Sequence, residues 1–212
     1  MKFTSIGHLD RDAVYQLVKE NFTQARKNEP ISSGDELFHH NTSYDNITSV
    51  LQNGLLSFNR MKSLGINRSA YQAIDNVNGE EYISVSRKEH AYSAFDFEYN
   101  YDSPFVVDFI IRDEIRKRTN VMRNTTNYVN EYLVLDEIPI EYIKLMSVRF
   151  MRMAKAISER DSYWSLASFI KRYNQLIDAL PLLEDKNIPL IENSEEIIHV
   201  DKSKLKSLGK LK

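Results

Sequence analysis

Apolar residues at Val14, Leu17, Val18, Phe22 and Ala25 recur at helical spacing. They predict an amphipathic helix over 12–27, with Asp10 or Asp12 placed to cap it. The polar stretch 28–35 reads as a loop, and 37–42 as a short strand. Ser43 or Asp45 can cap a following helix that carries Ile47, Val50 and Leu51, and Gly54 stands where a C-cap glycine belongs. Residues 58–79 are polar and read as a long irregular loop around a short helix near 68–75. Strand patterns return at 81–86, 105–111, 131–135 and 142–148. Between them lie a short charged helix at 112–118 and a loop over 120–130 that is rich in Asn and Thr. Beyond Phe150, residues 152–180 read as one or two helices, ended by Pro181. Short strands at 188–191 and 197–200 and a basic tail complete the chain.

This order predicts an α+β fold in three parts: a helical extension over 1–34, a mixed core over 35–150, and a helical extension over 151–212 packed on that core. Twelve tyrosines and ten phenylalanines in 212 residues supply bulk for one sizeable interior. A net charge of −2 does not point to nucleic-acid binding through bulk charge and leaves binding through a local patch open. The cluster Arg112, Arg116, Lys117, Arg118 and Arg123 reads as a solvated helix, because Asp113 and Glu114 intervene. With no cysteine, disulfides, thiolate metal sites and Cys nucleophiles are excluded, and no metal site is expected. The N-terminus lacks the apolar core of a signal peptide. The longest apolar run, 105–111, is broken by Asp108 and falls far short of the ~20 residues of a membrane span. A soluble protein without a membrane role is expected, cytoplasmic or delivered into a target cell without a signal peptide.

Three segments carry candidate chemistry. The first is His40-Asn41-Thr42, followed by a helix and Gly54-Leu55-Leu56-Ser57. The second is Glu81-Tyr82-Ile83-Ser84-Val85-Ser86-Arg87, with Tyr92 ten positions after Tyr82. The third is Asn130-Glu131-Tyr132-Leu133-Val134-Leu135-Asp136, with Tyr142-Ile143 shortly after. Together they resemble the ADP-ribosyltransferase superfamily, in its poly(ADP-ribose) polymerase-like and DarT-like bacterial branches. The resemblance covers roughly 37–148 and is most specific around Glu131. It implies a split antiparallel sheet with a cleft for NAD as substrate. By the same resemblance Glu131 is the catalytic acid, while His40 and Thr42 hold NAD. His39 competes with His40, since alternation along a strand points the two to opposite sides. Tyr92 fits the nicotinamide-stacking role first and Tyr82 second; Ser84 and Ser86 match polar strand residues of the cleft, and Arg87 a phosphate partner.

Two departures refine this. Asn41 replaces the family's usual glycine, so the backbone there approaches nicotinamide less closely. Val129 stands two before Glu131 where arginine-modifying toxins carry an acid, which speaks against arginine-specific transfer. The implied activity is mono-ADP-ribosyl transfer from NAD to a macromolecular acceptor with release of nicotinamide, in a bacterial toxin or effector. The loop 119–130 would recognise the acceptor, and the C-terminal helices could meet an antitoxin or regulatory partner. The apolar stripe from Trp164 to Ile177 reads as core packing or as such a partner surface. Two alternatives remain: a non-catalytic NAD- or ADP-ribose-binding or partner-binding module of this fold, and an RNA 2′-phosphotransferase. The low basic content of 37–57 argues against the last.

Overall fold

The computed structural model describes residues 11–23, 37–66, 80–87, 106–123, 131–159, 165–193 and 197–206. Its strands are β1 (Phe38–Ser43), β2 (Leu55–Leu56), β3 (Tyr82–Arg87), β4 (Val106–Ile111), β5 (Val121–Arg123), β6 (Glu131–Leu135), β7 (Glu137–Ile138), β8 (Ile143–Val148), β9 (Leu190–Asn193) and β10 (Ile197–His199). The α-helices are α1 (Arg11–Thr23), α2 (Ile47–Asn53), α3 (Phe58–Ser63), α4 (Phe150–Ser158) and α5 (Leu166–Asp185). Eight strands form one sheet in the order β10-β9-β8-β4-β1-β3-β6-β5, and β2 pairs with β7 beside it. The ladders are antiparallel except for β8 with β9.

Alternation along the central strands decides where the main core lies. Phe38, Val85, Phe109, Val134 and Met146 bury themselves in one cluster with Val14, Val18 and Phe22 of α1 and with the inner faces of α4 and α5. Phe150 sits where these elements meet, its ring 5.3–6.0 Å from those of Phe22, Tyr44, Phe169 and Tyr173. The stripe of α5 is therefore core: Phe169, Tyr173, Leu176 and Leu183 are fully buried. A smaller apolar cluster, Ile110, Leu145 and Ile191, forms separately. Glu192 reaches the start of α4, where its two carboxyl oxygens accept from the Phe150 and Met151 amides at 2.9 and 3.0 Å. Burial pushes its pKa up to about 8 against those bonds.

Several expectations change. Helix α3 and strand β5 lie inside stretches read as loops. Ser57 starts α3 by accepting from the Arg60 amide, and β5 is held by pairing with β6 from Val121↔Val134 to Arg123↔Tyr132. Pro181 does not end α5, which continues to Asp185 with the ring exposed. The apolar stripe runs past it to the buried Leu183, and that packing outweighs the one amide bond that proline removes. Residues 152–180 form two helices whose junction, with Trp164, lies outside the described residues, as does the helix expected near 68–75. The C-terminal part extends the sheet through β9 and β10 as well as adding helix. Among the described residues no helix is long and apolar enough to cross a membrane.

Candidate functional site

The site begins where the sheet is narrowest. Strand β1 pairs with β4 over all six of its residues, from Phe38↔Ile111 to Ser43↔Val106. On its other edge it meets β3 through only Phe38↔Arg87 and His39↔Ser86. Past His39 the two strands have no register pairs, although each continues in the sheet with its other neighbour. The main chain of β1 from His40 onward therefore has an edge without a strand partner among the described residues.

Glu131 heads β6 opposite Ser86, with Ser84 two residues further along β3 on the same side. Only 7% of Glu131 is exposed, and the Ser84 hydroxyl donates to its Oε1. Across the gap, His40 Nδ1–H donates to the Ser84 carbonyl at 2.8 Å. A carbonyl can only accept, so the neutral ring keeps its lone pair on Nε2. Burial lowers the His40 pKa, with the Ser84 bond and the Asp108 charge opposing in part. The imidazole is thus held neutral, in one tautomer, one serine away from the carboxylate.

His39 has a different setting. It is buried, with Nδ1 2.9 Å from Oδ2 of the equally buried Asp108 on β4. By register it lies level with Ser86 and Glu131, whereas His40 belongs to the alternate row and reaches the network only because the strands part. The Thr42 hydroxyl accepts from Asn46 Nδ2 at 2.9 Å, which ties β1 to the turn before α2. Asn41 Oδ1 is buried without a hydrogen-bond partner. Tyr82 lies opposite Leu135, at the end of β3 away from Glu131 and about 13 Å along the strand from Ser86. Arg87 alternates away from Ser84 and Ser86, stacks on Phe38 and Tyr132, and bonds Asp113. Tyr92, Val129 and most of the loop 119–130 lie outside the described residues. Asp108 and Asn46 were not singled out beforehand; a lone charge inside the apolar run 105–111 was the available signal for Asp108.

The two sides of the site are also joined below it. After α2 the chain turns through Gly54, at φ 77°, whose amide bonds Val50 O. A Cβ there would run into the Ile138 carbonyl oxygen. Leu55 and Leu56 then pair with Ile138 and Glu137 of β7, which follows β6 through Asp136 at φ 59°. The segment after His40 is thereby fastened to the segment after Glu131. No group of three or more His, Asp or Glu that could hold a metal occurs among the described residues.

Similarity to solved structures is found with Thermosipho africanus DarTG in complex with ADP-ribose, at 15% identity and a TM-score of 0.39, over 59% of this chain and 48% of that one. It is also found with Thermus sp. 2.9 DarT in complex with carba-NAD+, at 14% identity and TM-score 0.36, over 63% and 94% of the two chains. The same Thermus protein in complex with ADP-ribosylated ssDNA gives 13% identity and TM-score 0.34, over 66% and 94%. The matched part spans about half the length of the Thermosipho chain. No family model and no curated protein matches the sequence.

Proposed function

We propose that this chain is an NAD-dependent mono-ADP-ribosyltransferase whose cleft opens where β1 and β3 part. The observation that carries the reading is the link His40–Ser84–Glu131, in which two hydrogen bonds join groups from three strands across that gap. NAD is the substrate. His40 Nε2 accepts from a hydroxyl of the adenosine ribose, and the unpaired edge of β1 with Thr42 holds the nicotinamide carboxamide. Tyr92 stacks on the nicotinamide ring and Ser86 lines the floor; Tyr82, about 13 Å along the strand from Ser86, and Arg87, stacked on the opposite side of the sheet, take no part in this arrangement. Ser84 fixes one oxygen of Glu131 and so aims the carboxylate at the other ribose.

The reaction breaks the bond between nicotinamide and ribose C1′, with the electron pair leaving on nicotinamide. The ribose acquires oxocarbenium character, which a nearby carboxylate stabilises as in glycoside hydrolysis. The acceptor nucleophile then bonds to C1′ and gives up its proton to the Glu131 carboxylate, which passes it to solvent. A site buried beside apolar strands strengthens that charge stabilisation relative to water. The test is nicotinamide release from NAD by the wild type and by Glu131→Gln. A loss of about a hundredfold or more is expected; equal turnover by the two sinks the proposal. Labelled NAD incubated with single-stranded DNA, RNA or protein then identifies the acceptor. In a toxin or effector role, expression in a bacterial host arrests growth and Glu131→Gln relieves the arrest. A regulatory partner on the C-terminal helices would meet their outer faces, since the inner face of α5 is filled.

A further inference from the structure

On the side of the sheet away from Glu131, three strands and a turn converge on one cluster. Phe38 of β1 and Tyr132 of β6 meet edge to face, with ring centroids 5.4 Å apart. The Arg87 guanidinium of β3 lies 5.2 Å from the first ring and 5.3 Å from the second. Arg116, from the turn after β4, lies 5.1 and 5.9 Å from the same two rings. One oxygen, Asp113 Oδ1, takes both cations, from Arg87 Nη2 at 3.2 Å and Arg116 Nε at 3.0 Å. The cluster touches the first of the two residue pairs that join β1 to β3, and it holds the residue next to Glu131 and the residue next to Ser86.

A two-pair join is a weak way to connect the halves of a sheet, since each ladder pair adds only a small net stabilisation. The Arg87 guanidinium, largely withdrawn from water beside the two rings, holds more firmly than an exposed ion pair, and the more exposed Arg116 adds a second cation to the same rings and the same carboxylate. We propose that Arg87, Asp113 and Arg116 are positioning residues that set the width of this join, and with it the placing of Glu131 relative to NAD held on β1. The inference rests on the ADP-ribosyltransferase reading. Ground-state binding draws mainly on His40 and Thr42 in one half of the sheet. Glu131, in the other half, matters most as charge develops on the ribose. Loosening the clasp lets the carboxylate drift while NAD stays bound, so the loss falls on kcat.

The test uses Arg116→Met, Arg116→Lys and Asp113→Asn in the full chain, with kcat and KM for nicotinamide release and the urea midpoint measured for each. Arg116→Met keeps much of the side chain's bulk at a position 38% exposed and removes the cation. Its kcat is expected to fall about tenfold with KM within about twofold, and with little change in the midpoint. Arg116→Lys keeps a cation over the rings and recovers most of the rate; Asp113→Asn lies between. Unchanged kcat in Arg116→Met overturns the clasp alone. So does a parallel loss of kcat and midpoint that lysine does not repair. A wild type that releases no nicotinamide overturns both the clasp and the reading beneath it.

Discussion

Ser84 serves two partners with two different groups, its carbonyl accepting a hydrogen bond from His40 Nδ1–H and its hydroxyl donating to Glu131. Ser84→Ala therefore separates them, since the carbonyl stays and the hydroxyl goes. The expected result is a ten- to hundredfold lower kcat, with affinity for a non-hydrolysable NAD analogue nearly unchanged. A matching loss of affinity would show that Ser84 contacts NAD itself. For His40 the sign of the pH effect is fixed by burial. Its folded pKa is lowered, so protonation opposes folding, and the stability it contributes is lost as pH falls below about 6.5. Above that the ring stays neutral, and analogue affinity is expected to be flat from pH 8 to 6.5; a tenfold fall over that range contradicts the acceptor role. That Glu131 heads a strand and Ser84 lies within one could be read from the alternation of 131–135 and 81–86; the roles expected of them come from the family resemblance alone. The choice between His39 and His40 could not be read, because it depends on where a ladder stops, and a two-residue join leaves no mark in local alternation.

Elements whose pattern and punctuation agree were readable: β1, α2 with its closing glycine, β3, β4, β6 and β8. Strand β5 was not, since Val-Met-Arg has neither length nor alternation and owes its form to pairing with β6. Helix α3 was obscured in the same way, by a short polar sequence that takes its start from a serine cap. Gly54 shows how one element end controls the next. Any side chain there combines an unfavourable φ with a collision against the Ile138 carbonyl. Gly54→Ala is expected to cost at least about 2 kcal/mol of unfolding free energy, measured by urea denaturation. Because it displaces β2 from β7, it should also lower NAD turnover under conditions where the variant is still folded. Full stability in Gly54→Ala would mean that the β2–β7 pairing is easily displaced.

For the molecule as a whole, Glu192 links the far strands to the first turn of α4 and makes stability depend on pH. Its folded pKa is raised, so between about 4.5 and 8 the folded chain keeps a proton that the unfolded chain releases. Its contribution is complete at low pH and is lost progressively as pH rises through that window. The wild type should lose stability more steeply from pH 5 to 8 than Glu192→Gln, as read from urea midpoints; parallel curves would refute the assignment. That dependence could not be anticipated, because nothing near Glu192 in sequence shows that it meets residues 150 and 151. The parallel ladder β8 with β9, the one such ladder among the described residues, has a consequence for synthesis. A parallel partner cannot arrive through a tight turn, and Leu190 follows Val148 by 42 positions (190 − 148) that include α4 and α5. A nascent chain that has already made Glu131 and every strand around it still carries β8 as a bare edge until those positions are translated. Chains stopped at residue 189 should therefore appear in the insoluble fraction, joined edge to edge, although every residue of the proposed active centre is present.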